Sequence, residues 1–120
     1  MKSFSTLVII SLFTFTSCAY KENPDIIIVN ESSTVFENVF IHSVHSNDST
    51  NLGSLGVGER LKGSFVNTDP NPTDGCYVVS ATNANGRQIY ECMGYYTNGS
   101  SLNRGFQLTI KDDTTLSKEW

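Results

Sequence analysis

Few side chains in this sequence are suited to chemistry: two histidines, three cysteines and one acidic turn. His42 and His45 stand three apart, a spacing that can hold a metal ion on a helix. Their segment is rich in Val, Ile and Phe and reads as a strand, on which residues three apart point to opposite faces. The pair is therefore expected as surface or edge histidines. Asp69, Asn71 and Asp74 lie in Thr68-Asp69-Pro70-Asn71-Pro72-Thr73-Asp74-Gly75 and carry the oxygen ligands that suit calcium. Their spacing misses the alternation of an EF-hand loop, and prolines with turn-capping Asp and Asn account for the composition. They are metal candidates by ligand type alone; no metal or other cofactor is expected.

The glycines Gly53, Gly56 and Gly58 neither follow the order of a phosphate loop nor precede a helical pattern, and Glu59 beside them repels anions. Serines are plentiful, yet none stands in a Gly-x-Ser-x-Gly elbow. The carboxylates fall mostly in turns and at ends, not as a pair facing across a cleft. A catalytic role is not expected. Tyr90, Tyr95 and Tyr96, with Arg104 beyond the adjoining loop, are the candidates for partner contact, because tyrosine offers a large surface with a polar tip and little rotamer entropy to lose. Tyrosines alternating along a strand serve equally well as core residues.

From Asp25 onward, apolar and polar residues alternate with a period near two, a β pattern. Strands are expected over Ile26 to Asn30, Val35 to His45, Leu52 to Leu55, Arg60 to Val66, Cys76 to Thr82, Arg87 to Tyr96 and Gly105 to Lys111. The last is the clearest, with Phe106, Leu108 and Ile110 on one face and Gln107, Thr109 and Lys111 on the other. Turn residues separate the strands, and no segment carries a capped helical period. The expected fold is all-β: a small antiparallel β-sandwich, immunoglobulin-like, of about seven strands, with a small closed barrel as the alternative. One domain over residues 25–111 is expected, followed by a polar carboxyl-terminal tail over 112–120.

Before that domain, Lys2 is followed by an apolar run from Phe4 to Phe15 and then by Phe15-Thr16-Ser17-Cys18. This is the layout of a secretory signal, and the run is too short for the roughly 20 residues of a membrane span. The four residues resemble the lipobox of bacterial lipoproteins, with Phe15 where leucine is commonest. The resemblance covers the signal alone. It implies removal of residues 1–17, a diacylglyceryl thioether on Cys18, a lipidated tether over 18–24, and residence on the cell envelope, at the outer membrane where the host has one. Two or three acyl chains, at about 0.8 kcal/mol per buried methylene, would hold such a domain firmly. Ordinary secretion with cleavage before Tyr20 is the alternative, since Ser17 and Ala19 are both small. Asn30-Glu31-Ser32, Asn47-Asp48-Ser49 and Asn98-Gly99-Ser100 satisfy a glycosylation pattern, but in a chain so rich in Asn, Ser and Thr they discriminate nothing.

Once Cys18 is lipidated, Cys76 and Cys92 remain, and an even count in a small exported domain favours a disulfide. Asn85-Gly86 is a type I′ hairpin signal that would set Val79 opposite Cys92 and turn the two cysteines to opposite faces. A bridge therefore demands a longer loop, a bulge, or Cys76 off the strand. The chain has eight Lys and Arg against twelve Asp and Glu, a formal charge of −4, which opposes nucleic acid as a partner. The functional expectation is a lipid-anchored, non-catalytic binding or structural module of the envelope. The alternatives are a periplasmic inhibitor or immunity protein against a basic toxin or cell-wall hydrolase, with charge complementarity speeding encounter, and a secreted calcium-binding domain.

Overall fold

The computed structural model describes residues 23–66 and 73–120. Cys18, the signal, the tether up to residue 22, and Asp69 and Asn71 lie outside the described residues. The described residues form nine strands: β1 (Asp25–Asn30), β2 (Phe36–Ser43), β3 (Ser49–Leu55), β4 (Arg60–Gly63), β5 (Gly75–Asn83), β6 (Gln88–Thr97), β7 (Ser100–Ser101), β8 (Gly105–Ile110) and β9 (Thr115–Glu119). They make a four-stranded sheet in the order β4-β1-β8-β9 and a five-stranded sheet in the order β3-β2-β5-β6-β7. All neighbours run antiparallel except β1 and β8, which are parallel.

The two sheets pack as a sandwich because each presents one apolar face. Ile26 and Ile28 of β1 and Phe106, Leu108 and Ile110 of β8 meet Val39 and Ile41 of β2, Tyr77 and Val79 of β5, and Ile89 and Met93 of β6. Tyr77 sits at the centre, its ring 5.4 Å from that of Phe106 and 5.2 Å from that of Tyr96. Burial raises the pKa of its hydroxyl, partly offset by a hydrogen bond with Ser101. The all-β sandwich expected from strand spacing is thus the observed architecture. Its strands are shared out differently from an immunoglobulin domain, in which the first and second strands lie in one sheet.

The segment 112–120, expected as a polar tail, is instead built into the fold. β9 pairs with β8 from Ile110↔Thr115 to Phe106↔Glu119, and Trp120 continues the ladder through its N–H to the Gly105 carbonyl at 3.1 Å. Strand pairing outweighs the polarity of this segment: backbone bonds to β8 hold it although Thr115 is half-buried and the rest of β9 is exposed. Thr115 Oγ1 donates to Glu91 Oε1 at 2.6 Å, and the exposed Glu119 accepts from the Gly94 N–H at 3.1 Å, which ties β9 to β6 of the other sheet.

The end of the sandwich opposite Asp25 is held by one fully buried amide. Asn30 Nδ2 donates to the Thr34 carbonyl at 2.8 Å and also lies 3.2 Å from the carbonyls of Leu55 and Gly56, while Oδ1 accepts from Ser32 N–H at 3.0 Å and from Ser32 Oγ at 2.6 Å. The turn after β1 is thereby fastened to the end of β3 in the other sheet. So enclosed, Asn30 cannot serve as a glycosylation acceptor in the folded chain.

Candidate functional site

The register of β5 on β6 arranges the outer face of the five-stranded sheet. The hairpin between them closes on three residues, Ala84-Asn85-Gly86, with Gly86 N–H donating to the Asn83 carbonyl at 3.1 Å and Asn83 N–H to the Arg87 carbonyl at 3.0 Å. A type I′ turn requires positive φ at both central residues; here Gly86 has φ 83° and Asn85 does not adopt positive φ. Asn83 Oδ1 selects the longer loop by accepting from the N–H groups of Asn85 and Arg87 at 3.1 and 2.8 Å. The result corrects the register expected from Asn85-Gly86. Cys92 faces Val78, not Val79, so Cys76 and Cys92 share one face and form a disulfide with their Cα atoms 5.7 Å apart.

Two bulges decide which other side chains reach that face. In β6 the register shifts between Tyr77↔Met93 and Gly75↔Tyr96, with Gly94 at φ 63°. Without the shift Tyr90 and Tyr96 would share a face; with it, Tyr96 turns into the core, 1% exposed, while Tyr90 and Tyr95 stay outside at 65% and 53%. Tyr96 is therefore removed from the expected contact set. In β2 the register shifts between Glu37 and Phe40, and Asn38 adopts φ 52°, a left-handed conformation that asparagine tolerates better than most residues.

The product is a groove of about 490 Å³, open to solvent, lined by Asn38, Phe40, Ser80, Thr82, Gln88 and Tyr90. Its shape follows from the cross-strand row Phe40↔Ser80↔Tyr90, in which a small residue lies between two rings. Glu37↔Thr82↔Gln88 form the next row, with Asn38 at the adjoining bulge and the exposed Glu37 beside the groove rather than in its lining. The Tyr90 ring lies 6.0 Å from that of His42, and His42 Nδ1 is 3.0 Å from the Ser43 carbonyl. Beyond Tyr90, fully buried Val78 is flanked in register by His42 and Cys92. The lining offers hydroxyls, amides and ring faces, with neither carboxylate nor ammonium. Such a surface can stack a ring or a flat apolar patch and hydrogen-bond neutral polar groups around it.

The remaining expected residues disperse. Arg104 is exposed at the far end of the β7–β8 connection, outside the groove. Asp74 Oδ1 accepts from the Asn98 N–H at 3.1 Å, a turn-capping role. Among the described residues no group of three or more His, Cys, Asp or Glu side chains is placed to hold a metal ion. Phe40, Ser80 and Gln88 were not singled out by the sequence, although the alternation of Phe40 and His42 against Ile41 put them on the face opposite the core.

No family model matches the chain, and no curated protein matches it. Among solved structures it is similar to an NMR structure of a protein from Eubacterium rectale, with 12% identity over 84% of this chain and 91% of that one and a TM-score of 0.56. At that identity the likeness shows the fold alone.

Proposed function

We propose that this protein is a lipid-anchored envelope protein whose sandwich is a non-catalytic binding module for neutral polar chains, an uncharged glycan of the envelope above all. The observation that carries the reading is the groove between Phe40 and Tyr90, where aromatic faces flank hydroxyl and amide groups and no lining side chain is a carboxylate or ammonium. A sugar ring presents that chemistry in complement: an apolar face of C–H groups for stacking, and an equator of hydroxyls that donate and accept. The anchor is supported by the likeness of Phe15-Thr16-Ser17-Cys18 to a lipobox. The neutral lining favours this ligand over a basic toxin or hydrolase, which would be drawn by carboxylates.

Calorimetry with soluble, neutral fragments of envelope glycan tests the proposal. Saturable binding that weakens by about thirtyfold in Tyr90→Ala, the loss of one anchoring ring, is the expected result. Equal affinity in the two proteins, or no heat at millimolar glycan, overturns it. Binding of a basic envelope enzyme with loss of its activity would favour the inhibitor reading instead.

A further inference from the structure

Nine large apolar side chains are conspicuously exposed among the described residues, and five of them, Val44, Val66, Tyr95, Leu102 and Trp120, lie at one end of the sandwich. The register identifies that end. Asp25 opens β1 beside Gly105, Trp120 bonds Gly105, and Leu102 N–H donates to the Tyr95 carbonyl at 2.9 Å. Val44 N–H donates to the Cys76 carbonyl at the start of β5, and Val66 follows Phe65, whose ring is 6.5 Å from that of Tyr77. The opposite end holds the Asn30 network and the acids Glu31, Glu59, Asp112 and Asp113.

We propose that the Asp25 end docks on a phospholipid surface, an inference that rests on lipidation at Cys18. Only six residues lie between Cys18 and Asp25, so the first strand starts at most about 25 Å from the anchored residue, even with the chain fully extended. The end of the domain that the tether reaches first is the end that exposes the apolar residues. Tryptophan and tyrosine favour the headgroup boundary, where an apolar ring and a polar edge are both satisfied, and long cations extend past it to water. Trp120, its ring over Gly105 and the residue 45% exposed, is placed for that boundary, with Lys118 and Arg104 beside it in sequence and in the ladder. The charges at this end, Lys62, Arg104 and Lys118 against Asp25, Asp48, Asp74 and Glu119, give no excess of cations. Docking is therefore apolar, independent of anionic lipid and insensitive to salt. It stands the strands upright on the membrane and leaves the groove around Tyr90 open to the side.

Trp120 is the sole tryptophan, so it reports its own environment. The full chain, purified from its native membrane and weighed intact, is reconstituted in phosphatidylcholine vesicles carrying brominated acyl chains. Acylated protein that floats with the vesicles and loses most of its Trp120 emission, in low and high salt alike, is the expected result. A Trp120→Phe, Tyr90→Trp reporter keeps its emission, and Leu102→Asp, at an exposed position, restores that of Trp120 while the protein still floats. Acylated, floating protein with unquenched Trp120, equal quenching at both reporter positions, or quenching unchanged in Leu102→Asp overturns the docking and leaves the anchor standing. A mass beginning at Tyr20 without lipid, in protein that does not float, overturns the anchor and the docking with it.

Discussion

Cys76 and Cys92 occupy the same face of neighbouring strands, offset by two positions, because a three-residue loop rather than a two-residue turn sets the register between them. The bridge crosses a hairpin already held by its ladder and by the Asn83 side chain. Reduction is expected to leave the fold intact and to lower unfolding stability by about 3 kcal/mol, the chain-entropy value for a loop of this length. Urea titrations with and without reductant measure it. Collapse of the native spectrum on reduction would contradict the placement of the bridge over an independently stable hairpin.

Gly94 and Gly86 both adopt positive φ, at 63° and 83°, yet their surroundings differ. A Cβ on Gly86 would meet no atom within 4 Å, whereas one on Gly94 would run into the Phe106 ring. Gly86→Ala is expected to cost about 1 kcal/mol for backbone strain alone, and Gly94→Ala about 3 kcal/mol, because overpacking is added to strain. Equal losses in thermal unfolding would show that the bulge does not press on the core.

Asn30, at the end of β1, satisfies carbonyls of two connections and of β3 in the other sheet. Asn30→Ala leaves buried carbonyls and the Ser32 donors without their partner, and a loss of about 3 kcal/mol is expected. Asn30→Asp should be no milder, since a carboxylate cannot donate to three carbonyl oxygens. Chemical denaturation of the two variants measures this; a near-neutral effect would mean that the turn closes without the amide.

Asp112 Oδ1 accepts from the Ser33 N–H and the Ser33 hydroxyl, each at 2.7 Å. These bonds favour the carboxylate and hold the Asp112 pKa below its ordinary value, with Arg87 adding a smaller push in the same direction. The tie between the β1–β2 turn and the β8–β9 turn is thus fully present above the ordinary carboxylate pKa and fades as pH falls through the lowered one. In an NMR titration Asp112 should reach its midpoint at lower pH than in Ser33→Ala. Coincident midpoints would contradict the bond.

Much of this fold could be read from alternation. Phe106, Leu108 and Ile110 marked their strand and its inner face without ambiguity, since a period of two with one face apolar has few other solutions. The same dipeptide closes its chain differently in two places. Asn98 and Gly99 both take positive φ, at 49° and 80°, and close the two-residue β6–β7 hairpin, whereas Asn85-Gly86 yields to the pull of the Asn83 side chain. β9 was hidden because its apolar residues are few and its pairing comes entirely from β8. The groove was harder still: its shape depends on the bulge at Asn38 and on the three-residue loop that sets the β5–β6 register, and one inserted residue exchanges the faces of everything beyond it. Tyr90 was singled out by its residue type, and the structure leaves it exposed, but its neighbours across the sheet were fixed only by register.

The proposed ligand site is the sheet face between Phe40 and Tyr90. Amide and methyl chemical shifts of the labelled chain, followed during titration with a neutral envelope glycan fragment, test it most directly. Saturable shifts concentrated at Asn38, Phe40, Ser80, Thr82, Gln88 and Tyr90, absent in Tyr90→Ala, are expected. Shifts gathered elsewhere, or an unchanged spectrum at millimolar glycan, would contradict it.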